Sequence, residues 1–599
     1  MRHSFFWFTL CVLLAGGAQV PLHAQTAGVV PPATPPVDVR LTLLDAMQQE
    51  LDRAMARLKL ADYDAPYFMA YGLTQSEETA AFGRYGALFE GGGGKSRNLY
   101  VEVRVGDYQK DNTGGSTFDF DPNQVQNPYV TDEAPTDDDI SALRQRLWLL
   151  TDDQYKNALS SFLRKKSEGV FAVDKKEKVQ SFSREEVARS IDPALPFPFN
   201  QATWNDRARS LSARYKKYPE LFDGQVTFGA QKVIRYFVSS EGARIITEQV
   251  LYSFSAVAMT RADDGMYLEN SIHDYFQSES AIPSEEELAR RIDVMVADLL
   301  ALRAAPVLEP YTGPAILAPE ATGVLFHESV GHRLEGERQN SDEEGQTFKG
   351  QIGSLILPTF LSIVDDPTLA TFEGTPLNGY YVYDNEGIKS QRTELVKEGR
   401  LMTFLMSRTP VEGVDHSNGH GRGSGSYDPI ARMGNFMVLS SNAVSDDELK
   451  RRLMEESRRQ GKPYGLLIKN IEGGSTNTSA YGYQAFKGSP RMVYRVDATT
   501  GEETLVRGVE MVGTPLTVIG KVVATSNTYL VFNGFCGAES GYVPVSTIAP
   551  AMLLTEIELQ RTRTENGRLP ILTAPEHDKT PPAPAISPEK APAKKKKGK

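Results

Sequence analysis

The 599-residue sequence predicts an α+β protein of two large domains, the second poor in helix and built mainly of antiparallel strands. Three observations carry this. The length exceeds what one hydrophobic core supports, at roughly 150 residues per domain. The composition, 40% hydrophobic and 24% charged, is that of a folded chain and excludes disorder for the body of the sequence. Apolar residues recur at helical spacing in a few segments and alternate at strand spacing in many more, above all after residue 306.

At the N-terminus Arg2 and His3 precede the apolar run Phe5 to Leu14, and Leu22-His23-Ala24 offers a cleavage position before Gln25. This predicts a signal peptide over 1–24 and export to the periplasm or the medium. Gly16, Gly17 and Gln19 interrupt the run well short of the ~20 apolar residues that span a bilayer, and no later segment reaches that length, so no stable membrane insertion is expected. A Pro-rich leader fills 25–40. Leu44, Met47, Leu51, Met55 and Leu58 then share one face of a helix within Leu41 to Leu60.

Strand alternation follows in Tyr67 to Leu73 and Leu99 to Val105, with Gly91-Gly92-Gly93-Gly94 read as a turn between them. That run is not a phosphate loop, because Phe89 stands where the motif needs its first glycine and a strand follows. A charged helical region is predicted over 138–189, and a hairpin from Lys232–Val238 and Ala243–Glu248. Ser284 and Glu287 form a capping box for a helix to about Leu302, and Ala304-Ala305-Pro306 ends the N-terminal α+β domain (41–305). In the C-terminal domain (306–562) one further helix is capped by Ser445 and Glu448 and closed by Gly461. Residues 563–599 form a Pro- and Lys-rich disordered tail.

The net charge of −12 argues against a nucleic-acid partner, since the only basic cluster, Lys594 to Lys597, lies in that tail. Of the two cysteines, Cys11 leaves with the signal, so Cys536 is the single mature thiol and has no disulfide partner. Burial or metal ligation would each protect it.

The chemistry concentrates in Gly323-Val324-Leu325-Phe326-His327-Glu328-Ser329-Val330-Gly331-His332. Two of the six histidines outside the signal flank a glutamate in an apolar stretch, which points to a metal site with Glu328 as general base. The histidines are five apart, so a regular α-helix sets them about 140° apart. The spacing therefore predicts a deformed helix, by a π-bulge near Gly331. A catalytic zinc needs a third protein ligand. Cys536, among the glycines of Asn533 to Gly541, is the leading candidate, with Glu335, His416 and His420 as rivals.

The run His327 to Gly336 resembles the signature of the TldD/PmbA metallopeptidase family, on its catalytic TldD-like side. Tyr383-Asp384-Asn385-Glu386-Gly387, Ser417-Asn418-Gly419-His420, Arg432-Met433-Gly434-Asn435 and Phe535-Cys536-Gly537 follow in the expected order. The resemblance implies zinc held by His327, His332 and Cys536. It implies a C-terminal domain on a curved β-sheet that carries the metal-binding helix. It also implies a homodimer, or a heterodimer with a PmbA-like subunit, enclosing a chamber for unfolded peptides. The loop after Cys536, the signal peptide and the region 138–189 depart from the cytosolic members.

The function expected is zinc-dependent hydrolysis of peptide bonds in peptides or unfolded protein by metal-activated water, with Glu328 as base. His420 and Arg422 in the Gly-rich loop, and Tyr481 and Tyr483 near Gly473-Gly474, are candidate substrate contacts. The alternatives are a non-catalytic assembly or binding subunit with a structural metal, and an amidase acting on small amides.

Overall fold

The computed structural model describes residues 38–577, apart from 114–129, 172–178, 342–343, 477, 479–485, 514, 563–566 and 568. The signal peptide, most of the leader and most of the tail predicted above lie outside the described residues. Among the described residues no helix is long and apolar enough to cross a membrane.

The N-terminal part is a six-stranded sheet built from long hairpins. Strands β1 (Pro66–Arg84), β2 (Ala87–Val105), β3 (Arg189–Ile191), β4 (Asp223–Ser239) and β5 (Arg244–Arg261) lie in the order β2-β1-β4-β5-β3, with β6 (Tyr267–Phe276) also on β5. The glycine run is strand and not the predicted turn: Gly91 to Gly94 pair with Ala81 to Glu78 of β1. The chain reverses instead at Tyr85 and Gly86, both at positive φ (44° and 80°), the conformation a two-residue hairpin turn demands. A side chain at Gly93 would fall 2.0 Å from the Glu78 carbonyl oxygen, so the close ladder there requires glycine.

Helix α1 (Val39–Arg57) buries Leu43, Leu44, Met47, Leu51 and Ala54, close to the predicted stripe. With α2 (Ile140–Phe171) it covers one sheet face through Met69, Tyr71, Val101, Ile234 and Tyr236. The predicted helical region is thus shorter than 138–189: residues 179–188 form no helix, and Phe182 and Ser183 pack as a wedge. Phe182 is held between two guanidinium groups, Arg104 3.6 Å and Arg408 3.9 Å from its ring centre. Arg408 comes from the C-terminal half and also pairs with Glu241 at 2.8 Å, so these contacts join the two halves. The helices α3 (Gln201–Ser212) and α4 (Glu285–Ala304) close a second core with Phe228 and Phe254. α4 begins as predicted, its Ser284 hydroxyl accepting from the Glu287 amide.

The C-terminal half is a mixed, mostly antiparallel, curved sheet of 14 strands. Its spine is the hairpin β11 (Val522–Ala538) and β12 (Gly541–Arg561). β12 also pairs antiparallel with β7 (Tyr311–Leu317) and parallel with β9 (Asn435–Ser440), beyond which lies β8 (Leu361–Asp365). A parallel strand β10 (Tyr464–Ile468) extends β7. Register shifts at Leu554/Ile557 and Thr525/Tyr529 bend the long strands. On this sheet lies α5 (Pro319–Ser329), whose Ala321, Leu325 and Phe326 enter the core with Leu361, Phe404 and Phe436. Helix α6 (Asp446–Arg459) is capped by Ser445 as the sequence predicts.

Candidate metal centre

α5 is apolar on nearly every side because it is buried on nearly every side; its eleven residues begin with Pro319, pre-set for the first helical position. It ends at Ser329. Val330 leaves helical geometry at φ −120° and ψ −47°, and Gly331–Leu334 forms a separate 3-10 turn. The predicted deformation is present, but as a helix break and not as a π-bulge. The physical reason is capping: the Arg333 guanidinium donates to the carbonyls of Glu328 (3.1 Å) and Ser329 (3.0 Å), satisfying helix-end acceptors that a bulge would have kept inside the helix. Gly331 lets the turn pack closely, since a Cβ there would lie 2.3 Å from the Met433 sulfur and would force that side chain to move.

The break turns both histidines to one place. Their ring centres are 5.1 Å apart and perpendicular. Cys536 of β11 reaches the same point, its Sγ 3.1 Å from His327 Nε2 and 3.5 Å from His332 Nε2. Ligand atoms of the three residues all lie within 4.8 Å of one another, and all three side chains are buried. No other group of three such residues converges in this way among the described residues.

The other candidate ligands do not join this cluster. Glu335 binds the far side of His332, both carboxylate oxygens 3.1 Å from Nδ1. His416 is exposed beside Glu185. His420 is fully buried, with Nε2 on Asp365 at 3.2 Å and Nδ1 on Asn418. Arg422 donates to the carbonyls of Met433 and Pro544 (2.7 Å to the latter) and stacks on Tyr381. His420 and Arg422, expected as substrate contacts, are thus both buried and hydrogen-bonded to protein groups, and Arg422 also lines a cavity beside Tyr381. Tyr481 and Tyr483 lie outside the described residues.

The electrostatics agree with a ligand set. Burial opposes ionisation of Cys536, but the neighbouring charges of His332 and His327 outweigh it and hold the thiol well below its ordinary value. Glu335 is likewise buried, yet His332 and Arg338 hold it down at about 2, so it stays ionised. It anchors a network that sequence reasoning missed: Arg338 at 2.8 Å links it to Glu344 and Glu539, and Arg432 lies 3.5 Å away while donating 2.7 Å to the Cys536 carbonyl. Arg432 thereby ties the histidine side of the site to the cysteine strand. Glu328 is partly exposed, and burial raises its pKa against the lowering effect of the two histidines. Its carboxylate has no hydrogen-bond partner among the described residues, which leaves it available for proton transfer.

Similarity to known proteins follows this division of the chain. Residues 310–561 match the PmbA/TldA metallopeptidase C-terminal domain. A metalloprotease of Methanocaldococcus jannaschii is 30% identical over 232 residues, 38% of this chain and 47% of that protein. A metalloprotease TldD homolog of Haemophilus influenzae is 28% identical over 253 residues, 42% and 48% of the two chains. A zinc metalloprotease TldD homolog of Saccharolobus solfataricus is 23% identical over 257 residues, 41% and 51%. The chain thus spans about half the length of the curated relatives it matches. In fold the likeness is wider: the crystal structure of TldE from Thermococcus kodakarensis superposes with a TM-score of 0.54 at 12% identity, covering 87% of this chain and 100% of that one. A Thermotoga maritima crystal structure gives 0.57 at 16% identity, covering 86% and 99%. Residues 310–561, the part of the chain that carries the three-residue cluster, are therefore those of a TldD/PmbA C-terminal domain, and most of the chain shares the fold of the two crystal structures.

Proposed function

We propose that the chain is an exported zinc metallopeptidase that hydrolyses peptide bonds in peptides or unfolded polypeptides. The observation that carries this reading is the convergence of His327, His332 and Cys536 beside Glu328. The donor set fits zinc: one thiolate and two imidazoles, with one imidazole fixed through Nδ1 by a carboxylate. When bound, zinc supplies Lewis-acid polarisation of water and of the scissile carbonyl.

The protein's own groups do the rest. Glu328 takes the proton of the attacking water and returns it to the leaving amine, a task suited to a carboxyl whose pKa burial has raised. Glu335 fixes the tautomer of His332 by accepting at Nδ1. Extended peptides gain main-chain affinity by adding a strand to a sheet edge, which fits a β-rich domain with little side-chain selection. Assembly as a homodimer, or as a heterodimer with a PmbA-like subunit, belongs to the same proposal. Export is supported by the apolar run Phe5 to Leu14.

Zinc analysis and peptide turnover of the wild type, Glu328→Gln and Cys536→Ser test it together. Glu328→Gln is expected to retain zinc and lose about 10²- to 10⁴-fold in turnover. Cys536→Ser is expected to lose zinc. Full turnover in the first variant removes Glu328 as base, and full zinc content in the second removes the thiol from the site.

A further inference from the structure

Between the N-terminal sheet and the C-terminal half lies a cavity lined by Thr74, Arg235, Thr247, Asn385 and Gly423, with a second cavity adjoining it through Arg235, Asp384 and Asn385. Arg235 is the group common to both that carries a positive charge. Its Nε is fully shielded from solvent and has no hydrogen-bond partner. No carboxylate pairs with it among the described residues, and its charged neighbour is another cation, Arg422. Burial and that neighbour push it down to about 10. A half-buried guanidinium with a shielded, unpartnered nitrogen is costly to hold in place unless something else supplies negative charge.

The walls offer several further donors. Arg235 stands directly opposite Thr74 on β1 and Thr247 on β5, so the three side chains share one sheet face. Neither threonine hydroxyl has a hydrogen-bond partner among the described residues. Asn385 accepts from the Gly423 amide at 3.2 Å through Oδ1, and its NH₂ group has no acceptor among the described residues. Asp384 is the acid on the wall, and it is already engaged by three backbone amides, those of Glu386, Ile388 and Gly421. The second cavity continues to Val543, the register partner of Cys536.

We propose that this inter-sheet cavity is an oxyanion site in which Arg235, with Thr74 and Thr247, pairs with a carboxylate or phosphate group of a ligand. Two sources share that chemistry: the C-terminal carboxylate of a peptide, which rests on the hydrolytic reading above, and free inorganic phosphate, which does not.

Calorimetric titration of the full chain with an N-acetyl tripeptide acid, the same tripeptide as its C-terminal amide, and inorganic phosphate separates them. The acid is expected to bind about 10- to 100-fold more tightly than the amide, the worth of one charge-assisted hydrogen-bonded pair. That preference should vanish in Arg235→Gln and be partly kept in Arg235→Lys. Phosphate binding that is lost in Arg235→Gln, with acid and amide indistinguishable, supports the site with the free ion as its occupant. Wild-type protein that binds none of the three, or titrations that Arg235→Gln leaves unchanged, overturn the proposal. Should circular dichroism show Arg235→Gln unfolded, Thr247→Val carries the test, with an expected weakening of about 3- to 10-fold and the same overturning result. Binding is read without turnover, so a failure here is distinct from a failure of the peptidase reading.

Discussion

Replacing Glu335 by glutamine isolates what the carboxylate behind His332 contributes. The substitution keeps size and shape and removes one buried negative charge. Losing one partner of a buried ion pair commonly costs about 3–5 kcal/mol of stability, because the other charge is left uncompensated. Here that cost is mostly avoided. Arg338 keeps Glu344 at 3.0 Å and Glu539 at 2.9 Å, and Arg432 keeps the Cys536 carbonyl, the Ser540 hydroxyl at 2.9 Å and the Gly541 carbonyl at 3.1 Å. His332 has no such reserve, since Glu335 is its only Nδ1 partner among the described residues. The loss therefore falls on the metal: zinc affinity should drop about 10- to 100-fold, or about 1.4–2.7 kcal/mol. Competition titration against a chromophoric chelator measures it, with thermal unfolding of metal-free protein as the control. Unchanged zinc affinity together with a large loss of metal-free stability would refute the reasoning and reduce Glu335 to a structural residue.

Gly331→Ala drives a methyl against the Met433 sulfur and should cost about 1–3 kcal/mol by overpacking, read as a lowered Tm; an unchanged Tm would mean that the 3-10 turn shifts freely. Burial pushes Glu337 up to about 8 and Asp384 up to about 7, and burial beside Asp384 raises Glu386 well above its ordinary value. The folded state then holds protons that the unfolded chain releases near 4.5, so these groups make stability fall as pH rises from there to about 8; Glu337→Gln should flatten that slope, and an unaltered pH profile of Tm would contradict it. Arg408→Met removes the guanidinium stacked on Phe182 and paired with Glu241; because Glu241 is partly exposed, the loss should sit near the low end, about 3 kcal/mol, of the range for a broken buried pair. A wild-type urea midpoint would show that this contact between the halves contributes nothing.

Local signals with one physical cause are the legible part of the fold. Ser284 and Ser445 announce their helices because a hydroxyl at that position answers unpaired amides whatever the surroundings. The glycine run at 91–94 misleads because its role is set by the partner strand: close approach to Glu78 and Thr79 needs glycine as much as a turn does. In the site, residue types alone leave Cys536, Glu335, His416 and His420 as possible third partners of the two histidines; the family resemblance points to Cys536, and the fold brings it beside both rings. The form of the helix break cannot be anticipated, since it depends on Arg333 folding back onto carbonyls four and five residues earlier. Glu335 reads in sequence as a ligand because it has the right chemistry and lies three residues from His332; only the geometry assigns it to the ring's other nitrogen. Arg432 gives no local signal of its role, its partners Glu335 and Cys536 lying about a hundred residues away on either side, and Arg338, though three residues from Glu335, does not announce its pairing with Glu539.

The pairing of β11 with β12 also sets a timetable. Cys536 lies 209 residues beyond His327, so both histidines leave the ribosome long before the thiol that completes their cluster. The strand holding that thiol is paired along nearly its whole length with β12, which ends at Arg561. A nascent chain can thus fold its N-terminal sheet early, as domains generally do. The three-residue cluster comes together only once the β11–β12 hairpin has been made, so it forms later than the N-terminal sheet can fold.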